Sequence, residues 1–552
     1  MHPKQKQKIK KVSHLHASGG NSTFSSKDKK RRWTLGIIIG ALGFFLYTNT
    51  LSNGYVLDDF SAIKENNIVR QGIHAIPEIF KTSYRQGYLS IKDGLYRPLS
   101  LATFAIEWNY FPDNPSISHF VNIILYALTG FLLFLTLCKL FCHRSVFFGV
   151  EQGEAAAFIV SLLFVAHPLH VEVVANIKSR DEMLCFLFVI CSLLFVLKYI
   201  DEMKKKFFFF SALCLFFAFL SKETAITYLA ILPLALHFFR GVSFKKNGFI
   251  LVPFVVVTGI YLAIRTHVLQ GALADDGVSM ADNIIAGAKT FNTHIGTSFY
   301  LLGLYIMKLI FPVSLSYDYS FNQIPIVGME NIFSILSLLF YSGIGGYAAF
   351  VLFKSLKKNS EGIRQNSETK LISFGIFFFL FTVFLFSNLV LLIGTSMGDR
   401  LVYFPSLGFC IVIAVLLVKF LKIESIQHEL LTANVKLIPV LVIIILFSIK
   451  TYSRNPDWKN NYTLYSHDVT IVPNSVKAHY YLGLELIKVV ADTVQDAEKK
   501  KMIYEEGISE LEKSIKILPS FSSAYTQMGV AYYRMKNYEK AIENYNKVNA
   551  LK

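Results

Sequence analysis

Two adjacent carboxylates, Asp58 and Asp59, stand in the stretch GYVLDDF (54–60), a few residues past a long apolar run. A carboxylate at a membrane surface, beside aromatic Tyr55 and Phe60, is placed to act as a general base on a hydroxyl. A solvated turn accounts for the pair equally well, and its spacing leaves open which of the two would be the base. Further polar clusters recur at the ends of apolar runs: HPLHVE at 167–172, SKE at 221–223, SYDYS at 316–320, GDR at 398–400 and RNPDW at 454–458. Ionisable residues at helix ends around a shared cavity are functional candidates, although any one of them can be an ordinary solvated end. His167 and His170, at i and i+3, can share a helix face and hold a metal. The spacing shows no evident third ligand, so a metal is not favoured. The rival for His167 is a helix end closed off by Pro168.

The elements that would position these residues are membrane spans. Of 552 residues, 53% are hydrophobic and 17% charged, against roughly 25% charged in a soluble domain. Apolar runs of spanning character occur near 34–51, 117–138, 154–168, 181–199, 207–221, 224–239, 248–265, 331–353, 371–394, 401–420 and 437–450. A twelfth run, 295–312, carries Lys308 and several Thr, Ser and Gly residues. Ten Lys or Arg precede Trp33. They read as a cytoplasmic anchor under the positive-inside rule rather than a nucleic-acid-binding arm, and no small-x-small cleavage site follows the first run. With that arm inside, the basic loops 198–206, 240–247 and 354–370 also fall inside only if 295–312 does not fully cross. The expectation is eleven spans, 295–312 re-entrant or interfacial, and the tail outside. The same parity gathers the polar clusters and the loop 52–116 on the outer face. The six cysteines lie in or beside apolar runs and form no disulfide framework or CxxC metal site.

From about Asn474 the chain reads as amphipathic soluble helices. Residues 522–551 fit the 34-residue tetratricopeptide pattern, with Tyr525, Met528, Gly529 and Tyr532 in the first helix and Ala541, Tyr545 and Val548 in the second. An earlier copy has Leu482, Gly483 and Leu486, then Gly507, Leu511, Ser514 and Pro519, split by an insert near 490–502. Two repeats fall short of the three an independent array needs, so the tail is expected to lean on the membrane domain or on a partner.

In order along the chain come DD, YRPLS (96–100), HFVN (119–122), HPLHVE, SRDE (179–182), SKE, DYS (318–320), GDRLVYFPSLGF (398–409) and the tetratricopeptide tail. This ordered set, over residues 50–552, resembles the transmembrane and tetratricopeptide repeat-containing O-mannosyltransferases and their bacterial relatives, within the GT-C glycosyltransferase superfamily. The resemblance implies an all-α chain. A basic cytoplasmic arm (1–33) would precede a GT-C membrane domain (34–450) of about eleven transmembrane helices, a linker (451–473) and repeats at 476–520 and 522–552. It implies inverting transfer of a mannose-like hexose from a polyprenyl- or dolichyl-phosphate donor to Ser or Thr hydroxyls of extracytoplasmic proteins, for which the repeats offer a docking surface. Asp58 and Asp59 match the family's acidic pair, and Arg97 its RPL arginine.

A departing lipid phosphate needs positive charge more than a general acid, and cations aimed at developing charge are often the largest catalytic contribution. Arg97, Arg180, Lys222 and Arg400 are the candidates for the phosphate, with Arg suited to bidentate contact and Lys to a point contact. His119, His167, His170, Glu172, Glu223, Asp318 and Asp399 are candidates for positioning donor or acceptor. The resemblance implies no cofactor, since the lipid-linked sugar is a substrate. The short tail and absence of loop cysteines lean toward a bacterial inner membrane, the alternative being the endoplasmic reticulum. The rival functions are transfer to a lipid or glycan and a non-catalytic scaffold recruiting partners through its repeats.

Overall fold

A computed structural model describes residues 26–91, 93–142, 150–270, 278–357, 367–431 and 435–551. The basic arm before residue 26 and the charged stretch 358–366 lie outside the described residues. All regular elements among the described residues are helices. They are α1 (Ser26–Leu46), α2 (Pro98–Tyr110), α3 (Pro115–Phe141), α4 (Val150–Ala166), α5 (Arg180–Glu202), α6 (Lys205–Ser221), α7 (Tyr228–Arg240), α8 (Phe244–Val268), α9 (Phe291–Ile310), α10 (Ile332–Lys357), α11 (Ser367–Phe384), α12 (Tyr403–Phe420) and α13 (Ile438–Arg454), with shorter turns between.

Seven helical stretches among the described residues are long and apolar enough to cross a membrane: Ser26–Ser52, Pro115–Phe141, Ile177–Glu202, Phe244–Val268, Ile332–Lys357, Asp399–Phe420 and Val435–Trp458. An eighth is added if α4 and its continuation Pro168–Ala175, bent by 52°, count as one. The bend follows from His167, which precedes proline and is extended at φ −66°, ψ 123°. The remaining expected spans form shorter helices. α6 has 17 residues and α7 has 13, about 26 and 20 Å at 1.5 Å per residue, so the count of eleven does not follow from length and apolarity alone. Close approach holds the first pair together. A Cβ on Gly36 of α1 would stand 2.8 Å from the Phe131 ring of α3, and one on Gly40 would stand 3.2 Å from the Ala127 carbonyl. Small residues of this kind let helices pack in lipid.

Charge collects at the two ends of the bundle. At one end Arg31 and Arg32 each pair with Glu154 at 2.7 Å, and Asp201 joins Lys139 and Arg240, also at 2.7 Å. The other end carries the aspartate loop and the repeats. The segments on both sides of α9 reach that second end. The segment before it contacts the first repeat through Asp282 and Lys477, and the loop after it does so through Asp318 Oδ2, which accepts from Ser475 Oγ at 2.6 Å.

The run 371–394 is only partly helical. α11 stops at Phe384, and the chain then winds around Asn388, which sits at φ 55°. The buried Asn388 Oδ1 accepts from Ile393 N at 3.0 Å and from Asn283 Nδ2 at 2.8 Å. The apolar residues 389–393 therefore form a loop closed by one asparagine.

Residues 451–473 are structured as well: α13 runs on to Arg454, a 3₁₀ turn covers Asn455–Trp458, and α14 spans Asn461–Ile471. The tail has α15 (Val476–Glu485), α16 (Ala497–Ile517), α17 (Ser522–Arg534) and α18 (Tyr538–Ala550). The insert near 490–502 is absorbed by lengthening. α15 continues as a wide π turn over Leu486–Val490, and α16 begins early, at Ala497. Gly529 lies where α17 meets α18, with Tyr545 ring carbons 2.6–3.0 Å from where its Cβ would be. The tail leans on the membrane unit: Asn322 N donates to Asn474 O at 2.9 Å, Val476 N donates to Phe321 O at 2.6 Å, and Ala281, Val476 and Leu518 form an apolar contact.

Candidate active site

The aspartate loop is shaped by bonds to distant segments. Gly54 N donates to Lys459 O at 2.8 Å, and Leu57 N, at φ 49°, donates to Asn461 Oδ1 at 2.9 Å. The two carboxylates then diverge. Asp59 is fully buried and accepts from Val56 N at 3.0 Å and from Lys178 N at 2.7 Å, stitching the loop to the start of the Ile177–Glu202 helical stretch. Burial pushes its carboxyl up to about 7 despite those two N–H donors, and neighbouring Asp58 adds to the rise. The side chain of Asp58 is 37% exposed. Burial tends to raise its pKa as well, but the nearby cations Lys178, Arg85 and Arg400 outweigh that and hold the carboxyl below its ordinary value. Asp58 is thus the ionised, accessible member of the pair, and Asp59 the structural one.

Around Asp58 lies a web of paired charges. Arg85 Nη2 is 3.3 Å from Asp58, and Lys178 Nζ is 3.9 Å from Asp58 and 3.7 Å from Asp181. Arg97 grips two carboxylates: Nη1 donates to Asp181 at 2.8 Å, while Nε and Nη2 donate to Glu223 at 3.1 and 2.5 Å. Lys222 pairs with Glu182, and Arg400 with Glu172, whose other oxygen accepts from Arg400 N at 2.8 Å. Of the four proposed phosphate cations, Arg400 acts on Asp58 directly, Arg97 joins it through Asp181 and Lys178, and Lys222 sits on the neighbouring Glu182, each already matched by a carboxylate. Lys178 is a fourth that the sequence reading passed over. It immediately precedes SRDE, and the longer spacing of its ion pairs sets it apart. The hydroxyls of Tyr84, whose ring lies 5.8 Å from the Lys178 ammonium, and of Ser179 are buried beside this web without a hydrogen-bond partner.

The other candidates fall elsewhere. Arg180 does not face Asp58. Fully buried, it donates to Asn122 Oδ1 at 2.7 Å, to Thr103 Oγ1 and Ser118 O at 3.0 Å, and to Glu107, so it ties α2 to α3. The i, i+3 spacing of His167 and His170 does not aim them at one point. His167 Nε2 meets Leu309 O at 3.1 Å, whereas His170 lies between the Tyr126 hydroxyl at 2.8 Å and Ser406 Oγ at 2.9 Å. Both are buried packing residues, and Glu172 is committed to Arg400. Among the described residues no three His, Cys, Asp or Glu side chains are grouped to hold a metal. His119, buried, approaches Gly54 O at 3.4 Å and so supports the aspartate loop from below. Asp318 binds Ser475 and the Ser320 N–H, and Asp399 accepts from the Tyr319 hydroxyl at 2.9 Å. These two hold the loop after α9 against the first repeat and against Arg400.

Two family models match segments of this architecture. One, described as protein O-mannosyl-transferase TMTC, DUF1736, covers residues 276–345, which contain α9 and the Asp318–Tyr319 loop. The other, tetratricopeptide repeat, covers 522–548. Similar proteins extend the likeness along most of the chain. The Caenorhabditis elegans protein O-mannosyl-transferase F38B6.6 is 27% identical over 89% of this chain and 66% of its own length. The chain is TMTC-like. Human protein O-mannosyl-transferase TMTC3 is 25% identical, covering 92% of this chain and 54% of itself, and human TMTC1 is 26% identical over 88% and 55%. The TMTC-like chain thus spans about half to two thirds of the length of these relatives. All three are animal proteins, so they lend no support to the bacterial expectation.

Proposed function

We propose that this chain is a membrane glycosyltransferase that moves mannose from a polyprenyl-phosphate donor to Ser or Thr hydroxyls of proteins on the repeat side of the membrane. The observation that carries the reading is the divergence of Asp58 from Asp59: an accessible carboxylate, held ionised by Lys178, Arg85 and Arg400. The names of the similar proteins support mannose and a protein acceptor. In the step, Asp58 takes the hydroxyl proton and the acceptor oxygen attacks the anomeric carbon. The bond from that carbon to the phosphate oxygen breaks with inversion, and the lipid phosphate leaves with the electron pair. Preorganised cations stabilise that departing charge, with Arg85 at 3.3 Å and Lys178 at 3.9 Å beside the base. The attachment of the segments on both sides of α9 to the repeat side supports eleven crossings with α9 lying along one interface. In that arrangement the repeats are extracytoplasmic whenever the N-terminal arm is cytoplasmic.

The test is transfer from dolichyl-phosphate mannose by purified Asp58→Asn and Asp59→Asn variants. Asp58→Asn is expected to lose roughly 10²–10⁴-fold in rate at an unchanged melting temperature, because its carboxylate meets the side chains of Arg85 and Lys178 and no backbone group among the described residues. Asp59→Asn is expected to melt lower. Wild-type turnover by Asp58→Asn would remove the base from the mechanism.

A further inference from the structure

The segment between the last span and the repeats borders the aspartate loop next to Asp58. Asn461, the first residue of α14, holds Leu57 N, next to Asp58. One turn further along α14, Tyr465 is buried and lies between two other tyrosines. Its ring centroid is 5.2 Å from that of Tyr317, in the loop after α9, and 5.7 Å from that of Tyr481 on α15, the latter pair stacked at 27°. Tyr317 is fixed in turn, its N–H donating to Asp468 Oδ2 at 2.7 Å. Of the three rings only Tyr481 is half-buried; the other two are buried behind it. The Asp58 charge bears on the ionisation of both Tyr465 and Tyr481, as their proximity requires. A repeat helix therefore presents an aromatic face, rigidly backed by two buried rings, beside the proposed catalytic base.

We propose that Tyr481 binds the acceptor: an extended peptide segment packs against its ring so that a Ser or Thr hydroxyl reaches Asp58. The assignment rests on the transferase reading above and makes the first repeat one wall of the active-site cleft. A tyrosine offers a large, stiff contact area at small entropic cost, and here Tyr465 and Tyr317 remove what freedom remains. Tyr465 and Tyr317 are positioning residues in this arrangement, while Tyr481 touches substrate.

The experiment uses the full chain in lipid nanodiscs with dolichyl-phosphate mannose and a synthetic peptide copied from a hexosylated site mapped in cells that express the wild-type chain. For Tyr481→Ala, the KM for peptide is expected to rise roughly ten- to thirtyfold, the range of a truncated aromatic anchor, while the KM for donor stays within about twofold. Tyr481→Phe, which keeps the ring, should restore the peptide KM. An unchanged peptide KM in Tyr481→Ala, or a parallel rise in both constants, overturns the assignment. The transferase reading fails separately, through Asp58→Asn retaining full transfer while Tyr481→Ala does not. A wild-type chain that transfers nothing overturns both.

Discussion

Asp59 has both oxygens occupied by backbone N–H groups and no exposure, so its protonation is a matter of stability. Its folded value of about 7 lies above the ordinary aspartate value near 3.9. The folded state therefore binds the proton more tightly, and the stabilisation is fully present below about pH 4 and lost as pH rises through about 7. Between pH 5 and 8 this amounts to roughly 3 kcal/mol. We expect the wild-type melting temperature to fall over that interval, and Asp59→Asn, though less stable overall, to show a flatter pH profile by scanning fluorimetry. Lys178→Met should cost about 10²–10³-fold in turnover, visible as a drop in kcat with the fold intact. The acidic pair was legible in the sequence, but the division of roles within it was not. It depends on an N–H bond from Lys178, 119 residues away, which no local pattern encodes. The same blindness favoured Arg180, whose donors are spent on α2 and α3, and overlooked Lys178, two positions earlier.

Periodicity and apolarity located the long apolar helices, because lipid and core impose the same rule on many residues at once, whereas α2 and α14 fall in stretches read as a loop and a linker. The reading was least accurate where one polar side chain overrides that rule, as at Asn388, which turns the end of an apolar run into a closed loop. The segments before and after α9 bond to the same repeat helix or to the residue that leads into it. The two repeats should respond differently to overpacking. Gly529→Leu drives a side chain into the Tyr545 ring at a cost of roughly 1–3 kcal/mol. It should open the α17–α18 pair to proteolysis while mannose transfer to a short peptide persists. Gly483→Leu meets Gly507 O at 2.8 Å and the Leu511 side chain, and should displace α15, two residues from Tyr481. That variant is expected to lose transfer along with the fold of the first repeat.

For the whole molecule, the separation of charge between the two ends predicts sidedness. Cysteines introduced at Thr290 and Asp318, on either side of α9, should both react with an impermeant maleimide from the side that labels Asp492→Cys in the tail. None of the six native cysteines is exposed, so the background should be low. Reaction of the first two positions from opposite sides would make α9 a crossing and invalidate the eleven-span arrangement. The aspartate loop also has a bearing on biogenesis. Its shape depends on Asn53 Nδ2 donating to Asn455 O, on Asn455 Nδ2 donating to Leu46 O, and on Asn461 holding Leu57, contacts that join residues 402–409 positions apart. A chain emerging from the ribosome carries Asp58 into the membrane early but cannot shape its loop until the last helix and α14 have followed. A nascent chain stalled at residue 454 is therefore expected to be inserted but silent in the mannose-transfer assay.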